Sequence, residues 1–190
     1  RVCAPPYDKT DFNVIRATLM NKGMKENAGI FNHTQGWAVM AETILGNGNQ
    51  AYKYYRSFLP AAYNDRAELR QIEPYVYSQS THSKFSPRYG NSRVSWLSGT
   101  ATWAYFAASH YILGIRPGYD ALIIDPCVPS DWKEFKVIRT IRGKNVNIKF
   151  HNPNGSQKGV KKIFVNGEET ALNQIPYDKM KKENNVEVWM

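Results

Sequence analysis

The order of apolar and polar positions divides the chain into two stretches. Across 34–45 the apolar residues Trp37, Met40, Ala41, Ile44 and Leu45 fall three and four positions apart, which predicts a helix with one buried face. Gly46, Asn47 and Gly48 follow at once and stop it. A second helix is predicted over 49–58, with Tyr52, Tyr55 and Leu59 on one side and Pro60 as its terminator. Residues 1–29 read as strand and loop. Residues 60–93 read as a long polar loop with one short strand at 75–77, and an ordered loop of that length is commonly functional. A third helix over 98–113 is apolar almost all round, which predicts burial between layers, and Gly114 closes it.

Past this point the period changes to two. Residues 137–141, 146–150, 161–165 and 186–189 alternate apolar with polar, as half-buried strands do. Asn154-Gly155 and Asn166-Gly167 are hairpin-type turns. The expected fold class is α+β: helices over 1–117, then a small antiparallel β element over 118–190. No internal repeat is visible.

Charge and composition narrow the function classes. The net charge is +9, which raises acidic partners. The late lysines at 158, 161, 162, 179, 181 and 182 are interleaved with acidic residues, and no five basic residues run together. This is a solvated basic surface rather than a nucleic-acid footprint. Twelve tyrosines and five tryptophans suit a protein that handles sugars, because an aromatic face covers C–H groups while its polar tip hydrogen-bonds. Cys3 and Cys127 lack metal-ligand spacing and make no disulfide framework, which fits a reducing, cytoplasmic setting. Four histidines without HxH or HExxH spacing predict no metal site. No run of about 18 apolar residues predicts a membrane-spanning helix.

Three segments carry candidate chemistry. Lys25-Glu26-Asn27-Ala28-Gly29-Ile30-Phe31-Asn32-His33 places a cation, a carboxylate, an amide and an imidazole just before a helix. A helix start favours anions, since its first N–H groups lack partners. The same residues also suit a plain capped helix start. Trp96-Leu97-Ser98-Gly99-Thr100 offers two hydroxyls and a glycine that lets an oxyanion approach the backbone; Ser98 as an ordinary N-cap fits equally well. Tyr75-Val76-Tyr77-Ser78-Gln79, followed by His82, offers an amide able to bind sugar hydroxyls in pairs. Of the remaining histidines, His110 reads as a packed core residue and His151 as a solvated one. Cys127 reads as buried.

KENAGIFNHTQGW at 25–37, EPYVYSQ at 73–79, SWLSGTATW at 95–103 and LGIRPGYDALIIDPCVPSDW at 113–132, in this order, resemble the inverting glycoside phosphorylases. That family contains cellobiose phosphorylase and chitobiose phosphorylase, and the resemblance to the former is the closer. It spans about 25–145. It implies the last helices of an (α/α)6 barrel before a C-terminal β-rich domain. It implies phosphate attack on a β-linked disaccharide, with inversion, giving α-glucose 1-phosphate and a free sugar. By the resemblance, His33, Ser98, Gly99 and Thr100 bind phosphate, while Glu26 and Gln79 bind the donor sugar and Lys25 the acceptor. No cofactor or metal is implied.

The resemblance places the general acid and a phosphate-binding arginine upstream of Lys25, in an N-terminal portion this chain lacks. No catalytic residue is therefore expected here, and the isolated chain is expected to be inactive. A homodimer is implied by the same analogy. The expected substrate is cellobiose. Chitobiose, another β-glucoside, or a non-catalytic carbohydrate-binding module are the alternatives.

Overall fold

A computed structural model describes residues 5–170 and 173–190; Cys3 lies outside them. The elements, in order, are β1 (Ile30–Phe31), α1 (His33–Leu45), α2 (Gly48–Phe58), α3 (Ala67–Arg70), β2 (Ser78–Thr81), β3 (Ser92–Ser95) and α4 (Thr100–Phe106). A wider π turn over Ala107–Ile112 continues α4. Then come β4 (Ile115–Pro117), β5 (Ala121–Ile124), β6 (Glu134–Ile141), β7 (Lys144–His151), β8 (Lys162–Val165), β9 (Glu168–Glu169), β10 (Gln174–Pro176) and β11 (Glu183–Trp189). Short 3-10 turns occupy Arg16–Leu19, Pro60–Arg66 and Tyr177–Lys179.

Two compact units interleave along the sequence. One comprises the described residues up to Trp37 together with Tyr55–Ala104; the other comprises Ala38–Tyr54 and Tyr105–Met190.

The first unit is built on a three-stranded sheet of order β1-β2-β3, antiparallel throughout. The strand expected at 75–77 begins instead at Ser78, because Pro74 and Tyr75 form a turn closed by the Val76 N–H on the Glu73 carbonyl. Strands β1 and β3 had no signal of their own. Each is too short to show alternation, and each exists through its register with β2.

The second unit contains a three-stranded sheet, β10-β5-β4, and a five-stranded sheet, β6-β7-β11-β8-β9. Inward positions are apolar but for one: Leu122, Ile124, Val146, Ile148, Phe150, Ile163, Ile175, Val186 and Val188 are buried, and so is Asn184, whose amide bonds the Asn145 and Lys181 carbonyls. Phe135 stacks on Phe150 at 4.3 Å between centroids. Four strands fall where the alternation put them. The purely antiparallel expectation needs one correction: β7 and β11 run parallel, in register from Glu183↔Asn145 to Trp189↔His151.

The turns sort themselves physically. Asn166 and Gly167 both take positive φ, 52° and 91°, the type I′ pattern that joins β8 to β9. Asn154-Gly155 makes no hairpin, because β7 ends at His151 and the next strand starts at Lys162. The tight β6–β7 hairpin turns instead on Arg142 and Gly143, at φ 51° and 73°. Gly167→Ala should therefore cost about 1 kcal/mol through backbone strain alone, since no atom lies within 4 Å of the added Cβ; the urea midpoint measures it.

The helices bury less than their sequences promised. In α1 the buried residues are Gly36, Val39 and Thr43, while Trp37, Ala41, Ile44 and Leu45 are exposed. The apolar spacing thus marked a face that this chain leaves uncovered. In α4 and the turn after it, Ala104, Ala107 and Ile112 are buried but Ala101, Thr102 and Tyr105 are exposed. Lys158 is not simply solvated: its ammonium donates to the Thr43 carbonyl at 2.8 Å, closing the last turn of α1.

Candidate functional site

Strands β1 and β3 are both antiparallel to β2, so they run in the same direction. Each ends by feeding a helix. β1 passes through Asn32 into α1, which starts at His33; β3 passes through Trp96–Gly99 into α4, which starts at Thr100. The two helix starts therefore leave the sheet at one end, with Ser78 and Gln79 of β2 between them. Their first turns touch: the Trp37 and Trp103 indoles meet edge to face at 5.7 Å. A Cβ on Gly36 would lie 3.1 Å from the Cβ and carbonyl oxygen of Trp103, so a side chain there would require Trp103 to shift by a few tenths of an ångström.

One carbonyl ties the two starts together. Asn32 Nδ2 donates to the Ser78 carbonyl at 3.2 Å and to Ser78 Oγ at 2.5 Å. Thr100 Oγ1 donates to the same carbonyl at 3.1 Å. Thr100 has a single hydroxyl proton and spends it there, so in the 2.6 Å contact between Ser98 Oγ and Thr100 Oγ1 the donor is Ser98. Ser98 Oγ also accepts the Thr100 N–H at 3.0 Å, a local serine turn one residue ahead of the N-cap Gly99, whose carbonyl takes the first helical bond from Trp103. Thr100 is fully buried, Ser98 partly buried and Gly99 exposed. Gln79 Nε2 reaches the Leu97 carbonyl at 3.3 Å and steadies the loop from below.

His33 is half-buried at the first position of α1. Its ring meets Phe31 and Trp37 edge to face, at 6.0 and 5.7 Å. It lines a shallow recess with Gly29, Phe31 and Thr34. Lys25 and Glu26 stand on a tight turn before β1, bridged by Met24 and Asn27. The buried Asn27 amide holds that turn, donating to the carbonyls of Tyr7 and Met20 and accepting the Tyr7 N–H. The sheet thus gathers His33, Gln79, Ser98, Gly99 and Thr100. Lys25 and Glu26 precede this group on their own turn, and among the described residues no side-chain hydrogen bond joins them to it.

Backbone strain clusters here. Lys25, Ala28, Val94 and Trp96 adopt φ of 39°, 68°, 56° and 68°. A left-handed β-branched residue inside a strand is uncommon and persists only where its surroundings over-determine it. Trp96 is pinned by its indole N–H on Glu73 Oε1 at 3.0 Å. The backbone N–H of Glu73, that indole bond and Ser95 hold the Glu73 carboxyl below its ordinary range.

Sequence reading passed over Asn32 and Ser78, the two residues that fasten the site. Both are common polar residues, and their role appears only once β1 and β2 are paired. His82, near the Gln79 segment, is buried rather than presented to the site. Its Nδ1 lies 2.8 Å from Ser86 Oγ, and its Nε2 is buried without a partner among the described residues. Burial, then Arg93 and Arg88, lower its pKa from the ordinary 6.5. Burial likewise lowers that of His110, which stacks on Phe106 at 4.4 Å. A histidine with a lowered folded pKa contributes stability that is present above its unfolded pKa and lost as pH falls through the folded one. The urea midpoint should therefore drop as pH falls below about 6.5, and His82→Gln should flatten that slope.

His151 departs from its solvated expectation. It stacks on Trp189 at 4.2 Å, and its Nε2 is buried without a hydrogen bond among the described residues, 3.9 Å from Glu187 Oε2. Cys127 is buried, and burial pushes its thiol up to about 11, which leaves no nucleophile near neutral pH. Among the described residues, no group of three His, Cys, Asp or Glu could hold a metal ion, and no helix is long and apolar enough to cross a membrane.

Comparison with known proteins places this arrangement. Residues 1–114 match the Glycosyl hydrolase 94 superfamily, catalytic domain. The chain is 40% identical over 185 residues to an N,N'-diacetylchitobiose phosphorylase of Vibrio furnissii, covering 97% of this chain and 23% of that protein. It is 42% identical over 164 residues to the enzyme of the same name from Vibrio proteolyticus, covering 86% of this chain and 20% of that protein. A solabiose phosphorylase of Paenibacillus borealis is 32% identical over 173 residues, covering 91% of this chain and 22% of that protein. The chain thus spans about a fifth of the length of these relatives. With its family profile matched from residue 1 to 114, the chain belongs to the Glycosyl hydrolase 94 superfamily.

Proposed function

We propose that this chain is the phosphate-holding part of an inverting disaccharide phosphorylase. The observation that carries the reading is the pair of helix starts, at His33 and Thr100, leaving one end of a sheet and fastened to the single Ser78 carbonyl. Such a pair aims backbone N–H groups, an imidazole and the Ser98 hydroxyl at one anion. In this reading Thr100 braces rather than contacts phosphate, and Ser98 turns its proton outward when phosphate arrives. Gln79 keeps its Oε1 for a sugar hydroxyl, and Lys25 and Glu26 approach the sugar from their turn.

The reaction needs one protein carboxyl. A phosphate oxygen attacks the anomeric carbon on the face opposite the departing sugar. The glycosidic C–O bond breaks, and an acid supplied from outside this chain protonates the leaving oxygen. The product is the α-sugar 1-phosphate with inverted configuration, because phosphate takes the place water holds in an inverting hydrolase. The helices belong, on this proposal, to an (α/α)6 barrel whose other members cover Trp37, Ile44 and Leu45, which are 47%, 67% and 73% exposed here; the β-rich domain follows from about residue 118.

Cellobiose is the substrate implied by the motif resemblance. The two relatives at 40% and 42% identity carry the name N,N'-diacetylchitobiose phosphorylase, and we therefore prefer the N-acetylglucosamine disaccharide. The test is phosphate-dependent cleavage by the full-length protein, with chitobiose and cellobiose compared. The expected result is α-N-acetylglucosamine 1-phosphate from chitobiose, none without phosphate, and none from the 190-residue chain alone. Cleavage by water at the same rate without phosphate would overturn the reading.

A further inference from the structure

Asn32 and Ser78 also line a second recess within the first unit, of about 390 Å³. It is the size of a small-ligand site and is partly enclosed by α3 and the Pro60–Arg66 turn. Its walls carry Arg66, Arg70, Tyr63 and Tyr89, and no aspartate or glutamate is among its described lining residues. Arg70 is half-buried. Two of its five N–H groups are placed, on the Pro74 carbonyl at 3.2 Å and the Val76 carbonyl at 2.7 Å, and both acceptors are uncharged. Burial lowers the pKa of its guanidinium below the ordinary arginine value. Arg66 stacks over the Tyr63 ring at 4.7 Å and meets the exposed Asp65 carboxylate at 3.7 Å.

Two guanidinium groups in a concave, hydroxyl-lined site with no acidic residue select for an oxyanion, and the planar fork matches phosphoryl oxygens. We propose that this recess is a second oxyanion site, taking the phosphoryl group of inorganic phosphate or of a phosphorylated sugar. It stands apart from the residues assigned to phosphate above. None of His33, Ser98, Gly99 and Thr100 lines it, but Ile30 and Gln35 line both this recess and the one at His33, and the Asn32–Ser78 brace borders it, so its occupant bears on the element that holds both helix starts.

The experiment is calorimetric titration of the full-length protein carrying His33→Ala, which removes a donor of the first site. Inorganic phosphate and glucose 1-phosphate are titrated separately. Saturable binding of at least one is expected, weakened about tenfold or more when Arg66→Gln or Arg70→Lys is added. Arg70→Lys keeps a charge near the Pro74 and Val76 carbonyls and so protects the local fold. Binding of phosphate identifies the free anion; binding of glucose 1-phosphate alone identifies a phosphorylated sugar. If neither binds, or if both arginine variants bind as tightly as the parent, the proposal is wrong. The readout is binding rather than turnover, so it stands or falls independently of the phosphorylase reading.

Discussion

His33→Ala in the full-length protein should lower kcat/KM for phosphate by about 100- to 1,000-fold, the usual loss when one oriented oxyanion donor is removed. The effect should fall on phosphate and leave disaccharide binding nearly unchanged, because the imidazole stands at the start of α1 and not on the Lys25–Glu26 turn. The stability loss should be small, about 1 kcal/mol: the ring is partly exposed, and its contacts with Phe31 and Trp37 are edge to face. Steady-state kinetics at varied phosphate, with a melting curve beside them, separates the two. Unchanged phosphate kinetics would remove His33 from the site. A matching loss of folding would reduce it to a packing residue.

Gly114→Ala should abolish folding of the second unit or cost more than about 4 kcal/mol. The Cβ it adds would lie 2.0 Å from the Asp125 carbonyl oxygen, and φ is +66°. The obstacle is backbone, which has no rotamer to swing away. It is also locked, since Asp125 N–H bonds to the Gly114 carbonyl at 2.8 Å and Cys127 N–H to that of Ile112 at 2.9 Å. Gly143→Ala is the control. Its φ is +73° but nothing lies within 4 Å, so it carries only the conformational cost of about 1 kcal/mol. Soluble yield and chemical denaturation of the pair separate steric clash from backbone strain.

What the sequence made legible was local. The helix ended by Gly46, the alternating strands of the second unit and the Asn166-Gly167 turn all rest on neighbours within a few residues. What it hid was partnership. Val186 and Ile148 read as half-buried strand residues, but nothing local says that their strands lie side by side and parallel. His151 looked solvated because Trp189, which covers it, comes from another strand. The apolar stripe of α1 was seen, yet the residues this chain buries are Gly36, Val39 and Thr43. The same divide runs through the site. His33 and the Ser98-Gly99-Thr100 loop stand out as chemistry before a helix. Asn32 and Ser78 are silent until β1 and β2 pair.

The place of β11 has a consequence for how the protein is made. It is last of the five strands to leave the ribosome, yet it sits in the middle of the sheet, flanked by β7 and β8. Until it emerges, β6–β7 and β8–β9 are two separate hairpins, each with a bare edge. Its parallel union with β7 is a long-range pairing, and such pairings form slowly. A nascent chain that stalls or is clipped before Glu183 would keep Phe150 and Ile163 uncovered, a species for chaperones to hold and proteases to clear.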